Sequence, residues 1–368
     1  MNNEFFGKGD AIDYGPAWGY GYDSLLIDID HWKESPFVKV ESLGTSWQGR
    51  TIWHLTIEDT LGNQFRKNLA LHNRTHPLEV QSWWVQEEMI EFLISQDSLA
   101  EKLRREYRWA MTPMLNPDGV ELMEDCSFGF GRCNSQKMDL ERDWNSFTPQ
   151  PEVAALKSRY ESVMTSNDPY ELVLNMHSAF GCERYFWVHD SVGTSPEFLH
   201  QQQHFVEQVR KYEPDLISTW DSHVSWTNGT PEHFPESWFW LQFGEEVLAL
   251  TYEDVKECPS QEENFYPQAL ALLKGIHDHL KAPLEERQEF IPTSTLIQKN
   301  YKSFRLVNGE IVAPSDGKLL IWNSTGKLIQ FLEVQQDQVI ELNSLPFGKY
   351  FWTFQGEDFF GAKPQTGF

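Results

Sequence analysis

Short apolar runs alternate with longer amphipathic stretches through the first 285 residues, and this alternation restricts the chain to a sheet covered by helices. The spacing predicts strands over Phe37–Leu43, Thr51–Ile57, Phe65–Leu71, Tyr107–Thr112, Glu171–Met176, Arg184–His189 and Val247–Tyr252. It predicts helices over Leu78–Ser95, Glu152–Met164, Pro196–Tyr212 and Gln261–Leu280. The pattern changes near Ala282-Pro283-Leu284-Glu285. Beyond Phe290, short β-like runs follow one another with turn signals between them. Leu319–Trp322 and Lys327–Phe331 flank Asn323-Ser324-Thr325-Gly326 as a hairpin would, and Gln338–Leu342 and Lys349–Phe354 read as two more strands. Residues 1–285 are thus expected to form one α/β domain, and residues 286–368 a small accessory β-sandwich.

Charge narrows the partners. The chain has 55 acidic and 30 basic residues, a formal net charge of −25. Proteins that coat nucleic acid or dock on anionic lipid need the opposite balance, so neither a nucleic acid nor a membrane is expected as partner. The acid excess lies almost wholly in residues 1–285, since the last segment is close to neutral. No apolar run approaches the roughly 18 residues of a membrane-spanning helix. The start, Met1-Asn2-Asn3-Glu4-Phe5-Phe6-Gly7, lacks the basic and apolar regions of a secretory signal. A cytoplasmic location is therefore expected, with secretion the alternative for a chain whose leader has been removed. Cys126, Cys133, Cys182 and Cys258 make no disulfide framework. Cys126 and Cys133 are close enough in sequence to bridge a loop, but in a reducing compartment all four are expected to be free thiols.

Four groups of residues carry chemistry. In His76-Pro77-Leu78-Glu79, His and Glu at i and i+3 can converge on one ion. Zinc takes imidazole nitrogen and carboxylate oxygen, and a catalytic zinc keeps three protein ligands and an open position. The plain alternative is a helix start with proline in its first turn and an acid near the dipole. His177, at the end of Leu172–Met176, is the best third ligand, because open α/β sheets place their sites at the carboxyl ends of strands. Glu253 follows the apolar strand ending at Tyr252. There it can take a proton from water and return it to a leaving amine. Arg132 and Arg142 fall in a turn-rich stretch and offer planar forks for a carboxylate or an oxyanion. Taken one at a time, each of these is more often structural.

Taken in order, they resemble the zinc carboxypeptidases of the M14 type. Gly44-Thr45-Ser46-Trp47-Gln48-Gly49-Arg50-Thr51-Ile52 is similar to the family's G-x-S-x-x-G-R-x-I lead-in. His76-Pro77-Leu78-Glu79 resembles its H-x-x-E, and Pro113–Gly119 its P-x-x-N-P-D-G. Asp139-Leu140-Glu141-Arg142-Asp143-Trp144 resembles D-L-N-R-x-W, Pro151-Glu152 with Ala155-Leu156 the P-E-x-x-A-L that follows, Met176-His177-Ser178 the later H-S, and Thr251-Tyr252-Glu253 the final T-x-E. The resemblance covers about residues 36–257, and its wording is most similar to the cytosolic-carboxypeptidase branch. It implies a mixed twisted sheet flanked by helices and one Zn2+ ion held by His76, Glu79 and His177. It also implies Glu253 as general base and acid, Arg132 as support for the oxyanion, Arg142 as grip on a terminal carboxylate, and a peptide or peptide-like substrate.

The sequence departs from the family at Glu141, where an asparagine is expected. An acid beside the carboxylate-binding arginine repels a second carboxylate. It pairs instead with Arg142 or receives a substrate ammonium, so Glu141 is counted among the substrate-binding residues. The tyrosine of the late substrate loop has no match, and Trp226 is the nearest aromatic. Among the other histidines, His72 competes weakly with His76 as a ligand. His200 and His204, on a Gln-rich helix face, read as solvated. His223 and His233 fall where substrate contact is expected, and Ser237-Trp238-Phe239-Trp240 reads as core. The leading expectation is a zinc metallocarboxypeptidase that releases a C-terminal or γ-linked amino acid. An N-acyl amino acid amidohydrolase of the same fold and a non-catalytic zinc-binding peptide receptor are its rivals.

Overall fold

Three apolar strands run parallel at the centre of an eight-stranded sheet: β3 (Lys67–Asn73), β7 (Tyr170–Phe180) and β10 (Leu248–Lys256). Adding β1 (Val38–Thr45), β2 (Thr51–Ile57), β4 (Tyr107–Thr112), β8 (Tyr185–His189) and β9 (Val224–Ser225) gives the order β1-β2-β4-β3-β7-β10-β8-β9. β1, β2 and β8 pair antiparallel with their neighbours toward the centre, so the sheet is mixed. This computed structural model describes residues 19–60, 66–180, 183–256 and 265–290, and strand segments between 306 and 365. Cys182 and Cys258 lie outside the described residues.

Strand side chains alternate between two cores, as the period of two requires. Leu69, Leu71, Leu172, Leu174, Leu248 and Leu250 enter one core. Helices Tyr22–Trp32 (α1), Gln81–Ile94 (α2), Ser98–Glu106 (α3), Pro196–Arg210 (α6) and Tyr266–Lys281 (α8) cover it. The alternate residues Ala70, Ala110, Val173 and Ala249, small themselves, enter a second core under Pro151–Met164 (α5) and Pro235–Phe243 (α7), where Trp238 and Phe239 are buried. Between these lies Pro117–Leu122 (α4), and Leu284–Gln288 (α9) closes the series. On the second face the residues turn polar toward the strand ends: Val173 gives way to Asn175 and His177, and Ala249 to Thr251 and Glu253. His177 and Glu253 are not strand-end residues as expected. They lie inside longer strands and are direct register partners.

Helices α1, α3, α4, α7 and α9 were not legible as helices in the sequence. α7 is the instructive case, because Trp238, Phe239, Trp240 and Leu241 leave it no polar face and hence no 3.6-residue period.

The chain separates into two compact units, residues 1–290 and 291–368. α9 belongs to the first, where His200 Nδ1 meets the Gln288 carbonyl oxygen at 2.7 Å. The second unit contains a four-stranded antiparallel sheet from Gly317–Asn323, Leu328–Val334, Tyr350–Gly356 and Phe359–Gln365, in which the expected hairpin pairs Leu319 with Leu332. A three-stranded sheet combines Leu306–Val307, Glu310–Val312 and Val339–Glu341. The turn residues 324–327 lie outside the described residues.

Candidate active site

The loop after β3 is built by two distant sequence stretches. Arg74 adopts a left-handed φ of 54°, and its buried guanidinium donates from Nη2 to the Pro77 carbonyl oxygen at 2.8 Å. Asn116 spans the loop and the next helix. Its Nδ2 donates to the Thr75 carbonyl oxygen at 3.1 Å, and its Oδ1 caps α4 by accepting from Gly119 N at 3.0 Å. The fully buried Asp118 pairs with Arg50 at 2.7 Å and accepts from Ser46 Oγ at 2.7 Å. The Gly44–Ile52 and Pro113–Gly119 stretches thus form a scaffold that presents His76. A Cβ on Gly119 would lie 2.5 Å from the Cys133 carbonyl oxygen and 2.6 Å from Pro77 Cγ. Gly119→Ala is therefore expected to cost about 1–3 kcal/mol of stability and to weaken metal binding through the displaced His76 loop. Denaturant unfolding beside a zinc titration measures both, and wild-type values for the two would refute the scaffold role.

Three donor groups converge at the polar end of the second face. Glu79 Oε1 lies 2.9 Å from His76 Nδ1, Glu79 Oε2 lies 2.7 Å from His177 Nδ1, and the two Nδ1 atoms are 3.1 Å apart. Two ring nitrogens and a carboxylate that point at one spot, all within 4.8 Å of one another, suit a single ion. Nitrogen and oxygen donors of this kind fit zinc. The outer nitrogens are backed by carboxylates. His76 Nε2 meets Asp139 Oδ1 at 3.1 Å, and His177 Nε2 lies 3.2 Å from Glu141 Oε2 in an ion-pair contact outside hydrogen-bond geometry. Burial disfavours charge on His177, but Glu141 and Glu79 outweigh it and raise its pKa well above the ordinary value. Burial likewise opposes ionisation of Glu79, and His76 and His177 reverse that, holding its carboxyl well below the usual range.

The donors open onto a cavity of about 420 Å³. Arg132, Arg142, Glu141, Glu236, Trp226 and Glu253 line it with them. Glu253 Oε1 accepts from Trp187 Nε1 at 3.3 Å, and burial pushes its carboxyl up to about 7. Arg132 Nε donates to Asp139 Oδ2 at 2.7 Å, so one aspartate steadies both an arginine and a histidine. Arg142 lies over the Phe234 ring at 4.2 Å and keeps Nη1 buried without a partner. Glu141 does not pair with Arg142 as one expectation had it. Its Oε1 accepts from Asn175 Nδ2 at 2.9 Å, and its other oxygen faces His177.

A zinc carboxypeptidase family model matches residues 29–229. The chain belongs to the zinc carboxypeptidase family. Among curated relatives it is similar to cytosolic carboxypeptidase 6 of Caenorhabditis elegans, 33% identical over 160 residues, covering 42% of this chain and 33% of the relative. The mouse protein of that name is 33% identical over 177 residues, covering 46% and 32%. The match spans about a third of these relatives' length. Among solved structures, a metallo-carboxypeptidase from Burkholderia cenocepacia has the same fold, with a TM-score of 0.59 at 21% identity over 71% of this chain and 69% of that one. A carboxypeptidase structure from Burkholderia mallei gives 0.60 at 19% identity over 72% and 69%. The mixed sheet flanked by helices is thus the fold of metallo-carboxypeptidases.

Within this family member, the structure corrects several expectations. Cys126 and Cys133 form a disulfide, so the four cysteines are not all free thiols. Their Cα atoms, 6.3 Å apart beside the small hairpin of β5 (Asp125–Cys126) and β6 (Gly129–Phe130), are within bonding range. His72 is no rival ligand: it is fully buried against Tyr160 OH at 2.9 Å, and burial lowers its pKa to about 3. The Gln-rich face of α6 is not solvated. His204 is buried 2.9 Å from His279, and Gln202 is buried and bonds both N and O of His189. A glutamine face is packed where its amides find backbone partners, which hydropathy does not register. Neither His223 nor His233 lines the cavity; His189 does, stacked on Trp226 at 3.7 Å. Trp226 holds a left-handed φ of 59°, and Gly193 leaves room for it, since a Cβ there would meet Trp226 Cβ at 2.5 Å. Asp139, Asn175, Trp187 and Glu236 were not singled out in the sequence. Asp139 alone carried a signal, as the first residue of the D-L-N-R-x-W-like stretch.

Proposed function

We propose that this cavity hydrolyses an amide bond at the carboxyl end of a peptide, or a γ-linked one, as a zinc metallocarboxypeptidase. The observation that carries the reading is the register pairing of His177 with Glu253 beside the His76–Glu79–His177 cluster, with a partnerless Arg142 N–H in the same cavity. When bound, zinc polarises the scissile carbonyl and acidifies water. Glu253 takes the proton of the attacking water and returns it to the leaving nitrogen, a task suited to a carboxyl raised toward neutrality by burial. Arg132, steadied by Asp139, faces the developing oxyanion. Arg142 holds the terminal carboxylate with the guanidinium edge that has no protein partner. Trp226 and His189 form an aromatic wall on the cavity.

The test is zinc content followed by hydrolysis of a mixed peptide library, before and after chelation. Activity lost on chelation and restored by zinc supports the reading. Bound zinc with no turnover of any peptide sinks it.

The second unit is read as an accessory β-sandwich, from its two antiparallel sheets. A sandwich is absent if proton exchange shows the two sheets unprotected against each other. No described helix is long and apolar enough to cross a membrane. The name of these relatives supports a cytoplasmic location, whereas the Cys126–Cys133 disulfide is the arrangement of an oxidising compartment. An oxidised pair trapped by alkylation in intact cells would instead place the protein in an oxidising compartment.

A further inference from the structure

The cavity holds four carboxylates, and the reaction proposed above employs two, Glu79 and Glu253. Glu141 and Glu236 remain. Each is 4% exposed, and both line the cavity together with Arg142, Phe234 and Thr251. Glu236, in the first turn of α7, accepts from Thr251 Oγ1 at 2.7 Å. Among the described residues it has no cationic partner. Burial, and then the charge of Glu141, push its carboxyl up to about 7, so ionisation of Glu236 is costly until a cation pairs with it. Arg142 is the cation beside them. It is paired with neither acid among the described residues, and its buried Nη1 is unsatisfied.

A recess so composed lacks one anion for Arg142 and one cation for Glu236, since Glu141 already faces His177. A neutral side chain would supply only the first. An acidic one would bring a third carboxylate against two. A residue with an α-carboxylate and a side-chain ammonium or guanidinium supplies both, and buried charges are tolerated when paired in this way. We propose that the released residue is cationic, with its carboxylate on Arg142 and its side-chain cation received by Glu236, with Glu141 adding to the negative field. Lysine, arginine and other diamino acids form the class. The acid excess of the first unit favours approach of such a substrate. This inference rests on the carboxypeptidase reading for its orientation.

The experiment uses the zinc-loaded full chain and N-acylated peptides identical except for a last residue of lysine, arginine, norleucine or glutamate. Lysine and arginine should exceed norleucine in kcat/KM by about 10–100-fold, the worth of one or two charged hydrogen bonds, and glutamate should be the poorest. In Glu236→Gln the lysine-to-norleucine ratio should collapse toward one. A ratio near one in the wild type, or one that Glu236→Gln leaves intact, overturns the proposal. Calorimetric binding of free arginine against citrulline provides a readout without turnover or a variant. Arginine alone should bind, and equal binding of the two overturns the proposal. If no peptide is cut, the carboxypeptidase reading fails while the arginine–citrulline comparison still decides the recess.

Discussion

Glu253→Gln is expected to leave zinc bound and to lower kcat by about 10²–10⁴-fold, the usual contribution of a positioned general base. The geometry makes the substitution clean. Glu253 does not belong to the convergent donor set of His76, Glu79 and His177, so the metal should stay. Its known contact is a hydrogen bond from Trp187 Nε1 at 3.3 Å, which a glutamine oxygen can also accept. The side chain keeps its size inside β10, so the pairing with β7 is undisturbed. What is lost is the ability to take a proton. Zinc analysis and single-turnover kinetics on the same preparation separate the two effects. A variant with full zinc and undiminished kcat removes Glu253 from the reaction. One that loses zinc as well shows that the carboxylate serves the metal.

The sequence made the site more legible than the structure that carries it. His76, Glu79, His177, Arg132, Arg142 and Glu253 sit in stretches that resemble the family's motifs in their order, and the fold gathers all six on one cavity. The scaffold was readable as wording but not as function: nothing in Asn116 or Asp118 taken alone announces that they hold up the His76 loop, because their bonds run to Thr75, Ser46 and Arg50 far along the chain. The described helices of 14 to 16 residues were legible, whereas those of 11 residues or fewer, α7 among them, were not. Yet α7 delivers Glu236 to the cavity. His204 and Gln202 misled for a different reason, since polar residues packed through paired amides look like surface in one dimension.

Glu141 is where sequence and structure together say most. The family pattern leads one to expect a neutral amide. Here the acid is 4% exposed, its Oε1 is fixed by Asn175, its backbone N–H donates to Asp139 Oδ1 at 3.0 Å, and its Oε2 lies 3.2 Å from the outer nitrogen of His177. Asp139 stands in the same relation to His76. Both histidines of the cluster therefore have a carboxylate behind them, where an asparagine would back only one with charge. A carboxylate there orients the ring and raises its basicity as a ligand, and loss of such a partner ordinarily weakens metal binding by about 10–100-fold. Glu141→Gln keeps the shape and removes the charge, so its zinc dissociation constant, measured by chelator competition, should rise by that factor. Asp139→Asn should do the same through His76, and the double variant should fall short of additivity because both act on one ion. Glu236→Gln, which touches neither histidine, should leave zinc affinity near the wild-type value while altering the choice of substrate. An unchanged zinc constant in Glu141→Gln would mean that the contact with His177 is incidental. The departure at this position would then belong to substrate recognition alone.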